Sequence, residues 1–449
     1  MTLRSHHRAL LSQTWLGSRG RLIVLTGGWS LVAKAAAAAN LFLSVPFVLH
    51  ALGPSEFGAW ATLVSLVTFA GFLDFGFGNG TMNLVAAAHG RGNVNEVAAV
   101  VHEGRRTLVW IALGLAVLVT LTAPWVPWHW LLGLPAASAN ACRLAACAVL
   151  FAIVLAVPLN LATRVQLGLG RGDRAFRWQA AGQLITLVFV ITLARTNASL
   201  PELTAASVFT PLLASLANTV TLLCAPDFAR PSTRHPEIAR RIRREGTLFF
   251  VLQLAAALAY SADLPLISAI SGPTDAGTYS IVQRLYSIVP LGLGLIWAPL
   301  WPIYRQALAS RNHGWVLRTL RRSLVFACTI AIGVVLVLSF GFNRIIALWV
   351  HRPLNVNGAL LLGFAAWTII DAIGTAIATF FNAASIMRYQ IIVASLFAIT
   401  CLVAKTWVVS HFGITLMPWA TVITYITISL IPTLLLGRKL VDAALTKNY

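Results

Sequence analysis

The sequence predicts an all-α integral membrane protein of about 12 transmembrane helices, arranged as two six-helix lobes. Three observations carry this prediction. The chain is 58% hydrophobic and only 10% charged over 449 residues, which no soluble domain could bury. Its apolar stretches are each long enough to cross a bilayer, which takes about 20 residues. Finally, its two halves resemble each other.

The apolar stretches are separated by short polar segments, none long enough for a soluble domain. Six precede and six follow a basic segment at 227–246. We therefore predict an N-terminal lobe at 1–226, a linker at 227–246 and a C-terminal lobe at 247–449. The predicted spans lie near 22–50, 57–86, 107–128, 141–163, 179–197, 203–226, 247–270, 278–304, 323–350, 359–381, 390–410 and 416–436.

The internal repeat is clearest at two hairpin turns. The segment GPSEFGAW at 53–60 is echoed 219 positions later by GPTDAGTY at 272–279. Each copy lies between two long apolar stretches. Membrane proteins built from two like halves are typically transporters, in which one half moves against the other around a central site.

The distribution of positive charge predicts the orientation. The net charge is +20, but 26 of the 33 Lys and Arg residues fall in alternate loops and the termini, and only three fall in the loops between them. This is the positive-inside pattern, so we expect a multi-pass protein with both termini in the cytoplasm. The basic loops are expected to attract anionic membrane lipids. Nucleic acid is therefore not an expected partner.

Sequence motifs for soluble catalysis are not found. No Walker A sequence, HExxH or GxSxG occurs, and the five cysteines have no metal-ligand spacing. We therefore expect no enzyme activity, no metal and no cofactor. The segment FGFGNG at 75–80 lies late in an apolar span, where a softened helix end or close helix packing explains it better than a phosphate loop. Helix kinks are expected at Pro46, Pro158, Pro211, Pro265 and Pro290.

Charged residues inside the predicted spans are the candidate functional groups, because a charge in lipid is costly. Lys34 and Asp74 lie 20 residues before and after Pro54, and Asp263 and Arg284 lie 10 before and 11 after Pro273. Opposite charges therefore meet at matched depth in each hairpin. They form ion pairs across the hairpin, or they line one cavity at two levels.

We assign substrate binding to Lys34 and Arg284, which would meet an anion and exchange partners with Asp74 and Asp263; permanent buried pairs are the alternative. Asp371, mid-span with Gly374 nearby, is a candidate proton or cation site. The three acids are therefore the coupling or gating candidates.

The remaining charges and amides have lesser expected roles. Lys405 and Arg143 lie near the ends of their spans, so we expect both to extend toward the membrane surface. Gln253 is the repeat counterpart of Lys34. Together with Asn40 it is a further substrate-binding candidate, and the cavity would then be charged in one half and neutral in the other.

The segment LGPSEFGAWATLVSLVTFAGFLDFGFGNG at 52–80, followed by the basic loop GRGN at 90–93, resembles the polysaccharide-type lipid-linked oligosaccharide flippases. These translocate O-antigen or exopolysaccharide repeat units and belong to the multidrug/oligosaccharidyl-lipid/polysaccharide exporter superfamily. The resemblance is close over 22–106. It implies two lobes in a V around a central, often cationic cavity.

The same resemblance implies a function. The chain would flip an undecaprenyl-pyrophosphate-linked glycan from the cytoplasmic to the periplasmic leaflet of a bacterial inner membrane, by alternating access coupled to an ion gradient. Polysaccharide polymerase and chain-length machinery are the implied partners. Hydrogen bonds to the glycan would come from polar side chains in the lobes, namely Asn40, Asn160, Gln183, Gln253 and Asn382.

Two other functions compete with this interpretation. In a proton- or sodium-coupled multidrug exporter, Asp74, Asp263 or Asp371 would bind the cation and the drug. A membrane-embedded glycosyltransferase is disfavoured by the short loops.

The number of acids in the spans nearly balances the cations, so a cationic chamber requires that the acids pair elsewhere or that the substrate competes for the cations.

Overall fold

The computed structural model describes residues 3–67, 76–196, 198–225, 228, 235–309, 311–384 and 386–446, and over these residues it contains helices and no strands. In chain order, the α-helices are α1 (Leu3–Ser65), α2 (Phe77–Gly90), α3 (Val94–Thr122), α4 (Trp128–Leu131), α5 (Ala139–Leu159), α6 (Leu161–Gly168), α7 (Gly172–Ala194), α8 (Leu200–Leu223), α9 (Pro236–Tyr260), α10 (Asp263–Ile270), α11 (Pro273–Tyr286), α12 (Ile288–Ala309), α13 (His313–Phe340), α14 (Phe342–Val350), α15 (Gly358–Ala383), α16 (Met387–Phe412), α17 (Met417–Tyr425) and α18 (Ile431–Thr446).

The predicted membrane fold is confirmed. Among the described residues, nine helical segments are long and apolar enough to cross a membrane. Two of these, Leu25–Ser65 and Arg388–Gly437, each run through more than one predicted span. Leucine, valine and tryptophan side chains are widely exposed on the helix surfaces, as expected where lipid is the solvent. Together with α2 and the pair α9–α10, these nine segments correspond to about twelve membrane crossings.

The repeat appears in the backbone as two matching breaks. Gly53 interrupts α1 with φ 72° and ψ 172°, and Gly272 precedes α11 with φ 95° and ψ 167°. Only glycine adopts such angles readily. The following Pro54 and Pro273 are each suited to the first position of a helix, where the missing N–H costs nothing. We call the end of the molecule that carries these two glycines the hairpin end, and the opposite one the basic end.

The two repeats touch each other at the hairpin end through a pair of glycines. Gly58 and Gly277, which are 219 positions apart, lie against each other. A Cβ on Gly58 would overlap the carbonyl group of Pro273, while a Cβ on Gly277 would lie 3.2 Å from the Cα of Gly58. This contact, which we call the glycine seam, joins the second arm of α1 (54–65) to α11.

Prolines explain two of the helix breaks. A proline cannot bond the carbonyl four residues earlier. For Pro265 and Pro290 these carbonyls belong to Ser261 and Tyr286, and one helix ends and the next begins at both places. The helices continue through Pro46 and Pro211. At the FGFGNG segment, Gly76 adopts φ 72° at the start of α2, and a Cβ on it would overlap the carbonyl group of Gly246, so close packing through small residues is also found there.

Within each half the helices pack in a repeated pattern. In the N-terminal half α1 packs against α7, and in the C-terminal half α9 and α10 pack against α16. The offset of 219 maps α7 onto 391–413, which nearly coincides with α16. The predicted linker at 227–246 is partly helical, because α9 begins at Pro236. The lobe boundaries otherwise stay a prediction.

Candidate functional site

Two cations lie between the halves, and each contacts the backbone of the other half. Lys34 on α1 donates from Nζ to the carbonyl of Gly294 on α12 at 3.1 Å. Arg284 on α11 donates from Nη1 to the carbonyl of Leu41 on α1 at 3.0 Å. Both side chains are half-buried. The two bridges are therefore reciprocal, one running in each direction across the interface.

The α1 backbone is suited to accept such bridges because of a proline. Pro46 has no N–H, so the carbonyl of Phe42 lacks its normal helical partner. Trp349 on α14 supplies one instead, donating from Nε1 to that carbonyl at 2.8 Å. Leu41, which accepts from Arg284, is the preceding residue. This turn of α1 thus binds two side chains of the C-terminal half.

The surroundings of the two cations are neutral over the described residues. The Arg284 guanidinium lies 5.3 Å from the centroid of the Trp60 ring, a cation–π contact. Neither Lys34 nor Arg284 forms an ion pair with a described carboxylate. Asp74, the predicted partner of Lys34, lies outside the described residues. The side chain of Gln253 on α9 is likewise outside the described part.

The predicted meeting of Asp263 with Arg284 does not occur. Instead, Asp263 accepts from Lys405 on α16, with Nζ 2.6 Å from Oδ1, and from the Tyr279 hydroxyl at 2.9 Å. Lys405 is only 1% exposed, so the expectation that it extends toward the membrane surface was wrong. Matched depth along a hairpin says nothing about direction around the helix axis, and here Asp263 points toward α16.

Asp371 lies in the same cavity as this pair, and its environment differs. The cavity has a volume of about 290 Å³ and is lined by Asp371, Asp263 and Lys405, with aromatic rings of Phe364 and Trp367. The Asp371 carboxylate forms no hydrogen bond or ion pair with a described residue. Two carboxylates against one ammonium give this cavity a net negative charge. The unpaired acid is suited to bind a proton or a small cation.

The N-terminal half contains a polar cavity of about 450 Å³. Asn160 and Gln183, both predicted to bond a glycan, line it, together with Gln179 and Ser207. Asn40 donates to Gln183 at 2.8 Å and so connects α1 to the cavity wall. Asn382 on α15 is elsewhere, in the C-terminal half.

The sequence analysis missed two participants in this arrangement. Lys405 was not predicted to take part because it lies near a span end, although it lies eight residues before Gly413, which directly follows α16, and so at a depth similar to that of Asp263. Trp349 had no distinguishing signal, because an aromatic residue near a span end is usually an interfacial anchor.

Comparison with known proteins identifies the family. The chain matches the polysaccharide biosynthesis protein family over residues 26–308. No curated protein matches it. Among solved structures, it is similar to the inward-facing conformation of a multidrug resistance MATE family transporter of the MOP superfamily, with a TM-score of 0.75 at 15% identity over 94% of this chain and 100% of that one. The outward-facing conformation of a transporter so described gives a TM-score of 0.65 at 15% identity over 96% and 97% of the two chains. The chain therefore belongs to the polysaccharide biosynthesis protein family, and it is a multi-pass membrane protein with the fold of these two structures.

Proposed function

We propose that this protein flips an undecaprenyl-pyrophosphate-linked oligosaccharide across the bacterial inner membrane, from the cytoplasmic to the periplasmic leaflet. The observation that carries the proposal is the pair of cations, Lys34 and Arg284, which bridge the halves through backbone carbonyls and, for Arg284, the Trp60 ring, with no described carboxylate as partner. A cation bonded to a neutral carbonyl remains available to an anion.

The pyrophosphate supplies the stronger partner. A carbonyl offers these cations only a dipole, whereas a phosphate adds a full negative charge and can accept two parallel bonds from a guanidinium. A pyrophosphate arriving between the halves would therefore take Lys34 from Gly294 and Arg284 from Leu41. Breaking both bridges weakens the contact between the halves at this depth, where the bond from Trp349 to Phe42 remains. Substrate binding would in this way favour the conformational change that moves the substrate.

The glycan requires a wide polar space, for which the N-terminal cavity of about 450 Å³ is the candidate. Its amides and hydroxyls can both donate and accept, which suits sugar hydroxyl groups. Asn40 and Gln183 link this cavity to α1, the helix that carries Lys34. A sugar there and a pyrophosphate at Lys34 would contact the same helix.

The C-terminal cavity is our candidate for ion coupling. Asp263 is already neutralised by Lys405, so it does not oppose an anionic substrate. Asp371 is the carboxylate of this cavity that has no described ion-pair partner. Uptake of a proton or a sodium ion by Asp371 would neutralise the cavity and change the packing of α15 against α12 and α17. Of the acids that the sequence sets against the cations, this assignment accounts for Asp263 and Asp371.

A multidrug exporter is the second candidate, and one observation favours it. Asp371 lies among aromatic rings in a cavity of about 290 Å³, an arrangement that fits an organic cation. In that case Asp371 would bind the drug as well as the coupling ion. The cations between the halves would then have no substrate role.

The test is complementation of a bacterial strain lacking the gene, with surface polysaccharide and trapped lipid-linked repeat units as readouts. We expect Lys34→Gln and Arg284→Gln to lose polysaccharide and accumulate the precursor, and Lys34→Arg to retain activity. Arg344→Gln, a loss of one exposed charge on α14, is the matched control. Normal polysaccharide with Lys34→Gln, combined with drug sensitivity in Asp371→Asn, would instead establish the exporter.

A further inference from the structure

A second cavity in the N-terminal half combines positive charge with a buried, unpaired polar group. It has a volume of about 470 Å³ and lies near the basic end, between α6, the start of α7 and the end of α8. Arg171, Arg174 and Arg177 line it with Trp178 and Gln166. We call it the basic cavity.

The charge in the basic cavity is only partly compensated. Arg177 donates to Asp173 at 3.1 Å and lies 5.1 Å from the centroid of the Trp29 ring, so its position is fixed. The Arg174 guanidinium is exposed and forms no ion pair with a described carboxylate. Because Arg174 adds its charge to the neutral pair of Arg177 and Asp173, this part of the cavity has a net positive charge, which suits a phosphate group.

The floor of the basic cavity supplies an independent observation. Gln166 is 3% exposed, and its Nε2 donates to Oδ1 of Asn218 at 2.6 Å. Its Oε1 is buried and has no hydrogen-bond partner among the described residues. An unpaired buried acceptor is costly, and it is satisfied by a ligand that donates a hydroxyl. The positive-inside rule accounts for arginines on loops, but it does not account for a buried amide oxygen without a described hydrogen-bond partner beside them.

The basic cavity also adjoins the polar cavity. Trp178 lines both of them. The hydrogen-bonded pair of Gln166 and Asn218 connects them too, because Gln166 lines the first and Asn218 the second. A group leaving the basic cavity past this wall would enter the chamber assigned above to the glycan.

We propose that the basic cavity binds a hydroxyl-bearing phosphate ester, and that it is the entry site where the sugar pyrophosphate of the substrate first docks. The arginines contact the phosphates, Trp178 stacks against a sugar ring, and a sugar hydroxyl donates to Oε1 of Gln166. The entry role rests on the proposed function, whereas the binding site does not. A phospholipid with a glycerol headgroup offers the same chemistry, so the experiment separates the two sources.

The test measures binding to the full-length protein in phosphatidylcholine nanodiscs by native mass spectrometry. The probes are undecaprenyl pyrophosphate bearing one N-acetylglucosamine, undecaprenyl pyrophosphate alone, and phosphatidylglycerol. The background carries Lys34→Gln and Arg284→Gln, so that binding between the halves does not contribute. Arg171→Gln with Arg174→Gln should raise the Kd for the sugar-bearing probe roughly tenfold, the effect of about one charge-assisted bond.

Two further variants sharpen the result. Arg318→Gln with Arg321→Gln removes two exposed arginines at the same spacing on α13 and should leave the Kd unchanged. Gln166→Leu should abolish the preference for the sugar-bearing probe over undecaprenyl pyrophosphate alone. An unchanged Kd in the Arg171 and Arg174 variant overturns the site.

The remaining outcomes separate the two proposals. Equal affinity for phosphatidylglycerol assigns the cavity to a bound lipid and overturns the entry role. If the protein binds the sugar-bearing probe tightly but deletion of its gene leaves surface polysaccharide unchanged, the proposed function is overturned while the binding site stands.

Discussion

The two halves of the molecule share a backbone design and divide the polar chemistry between them. In the N-terminal half, α1 is joined to α7 by an amide pair, Asn40 and Gln183, at 2.8 Å. In the C-terminal half, the corresponding helices α10 and α16 are joined by an ion pair, Asp263 and Lys405, at 2.6 Å. Backbone features that shape the hairpins are repeated, whereas the residues that carry charge are not.

This difference indicates what each half does. Lys34 corresponds to Gln253 in the repeat, and Arg284 corresponds to Ser65, so each cation occurs in one half only. An interface between identical halves would carry the same charges twice and repel itself. The divided arrangement gives one cation from each half, both directed at the backbone of the other half. Four experiments test how far the comparison holds.

The largest effect is expected for Lys405→Met. It leaves Asp263 as a buried charge without its counterion, which costs about 3–5 kcal/mol of stability. The apparent melting temperature in detergent, followed by tryptophan fluorescence, should fall sharply. Adding Asp263→Leu removes both charges and should restore most of the loss. If the double variant melts as low as the single one, packing rather than charge explains the effect.

The glycine seam should give the next largest effect. Gly58→Ala overlaps the Pro273 carbonyl group, while Gly277→Ala meets Cα of Gly58 at 3.2 Å and needs only a small adjustment. Overpacking of this kind costs about 1–3 kcal/mol. We expect Gly58→Ala to lower the melting temperature more than Gly277→Ala. Gly114→Ala, which meets no atom within 4 Å, is the control, and an equal response of all three would contradict the close approach of the halves.

A smaller effect is expected for the amide pair in the N-terminal half. Asn40→Leu removes a neutral hydrogen bond, worth about 0.5–1.5 kcal/mol. Its melting temperature should therefore fall much less than that of Lys405→Met. The double variant with Gln183→Leu should be close to the single variant or more stable, because no amide is left unpaired. A loss as large as that of Lys405→Met would show that the two helix joints are equally important.

The sequence predicted the fold well because hydropathy, charge asymmetry and the repeat are local properties. Gly53 and Gly272 could be recognised as turn positions from the neighbouring residues in the sequence. The partner of Asp263 could not, since the hairpin fixes only depth in the membrane, while Lys405 lies 142 residues away on a helix brought close by tertiary packing. The basic cavity was hidden for a related reason: its arginines belong to the positive-inside pattern, and only the fold places Gln166 beneath them.

The smallest effect on stability, with a large effect on function, is expected for Asp371→Asn. The carboxylate has no described partner, so the neutral amide of the same size removes a costly charge and leaves contacts intact. The melting temperature should be unchanged or slightly higher. In proteoliposomes, transport should lose its dependence on an imposed proton or sodium gradient, and imposing the two gradients separately identifies the ion. A melting temperature as low as that of Lys405→Met would contradict this, because Asp371 would then be a structural charge and the C-terminal cavity would have no group left to couple an ion.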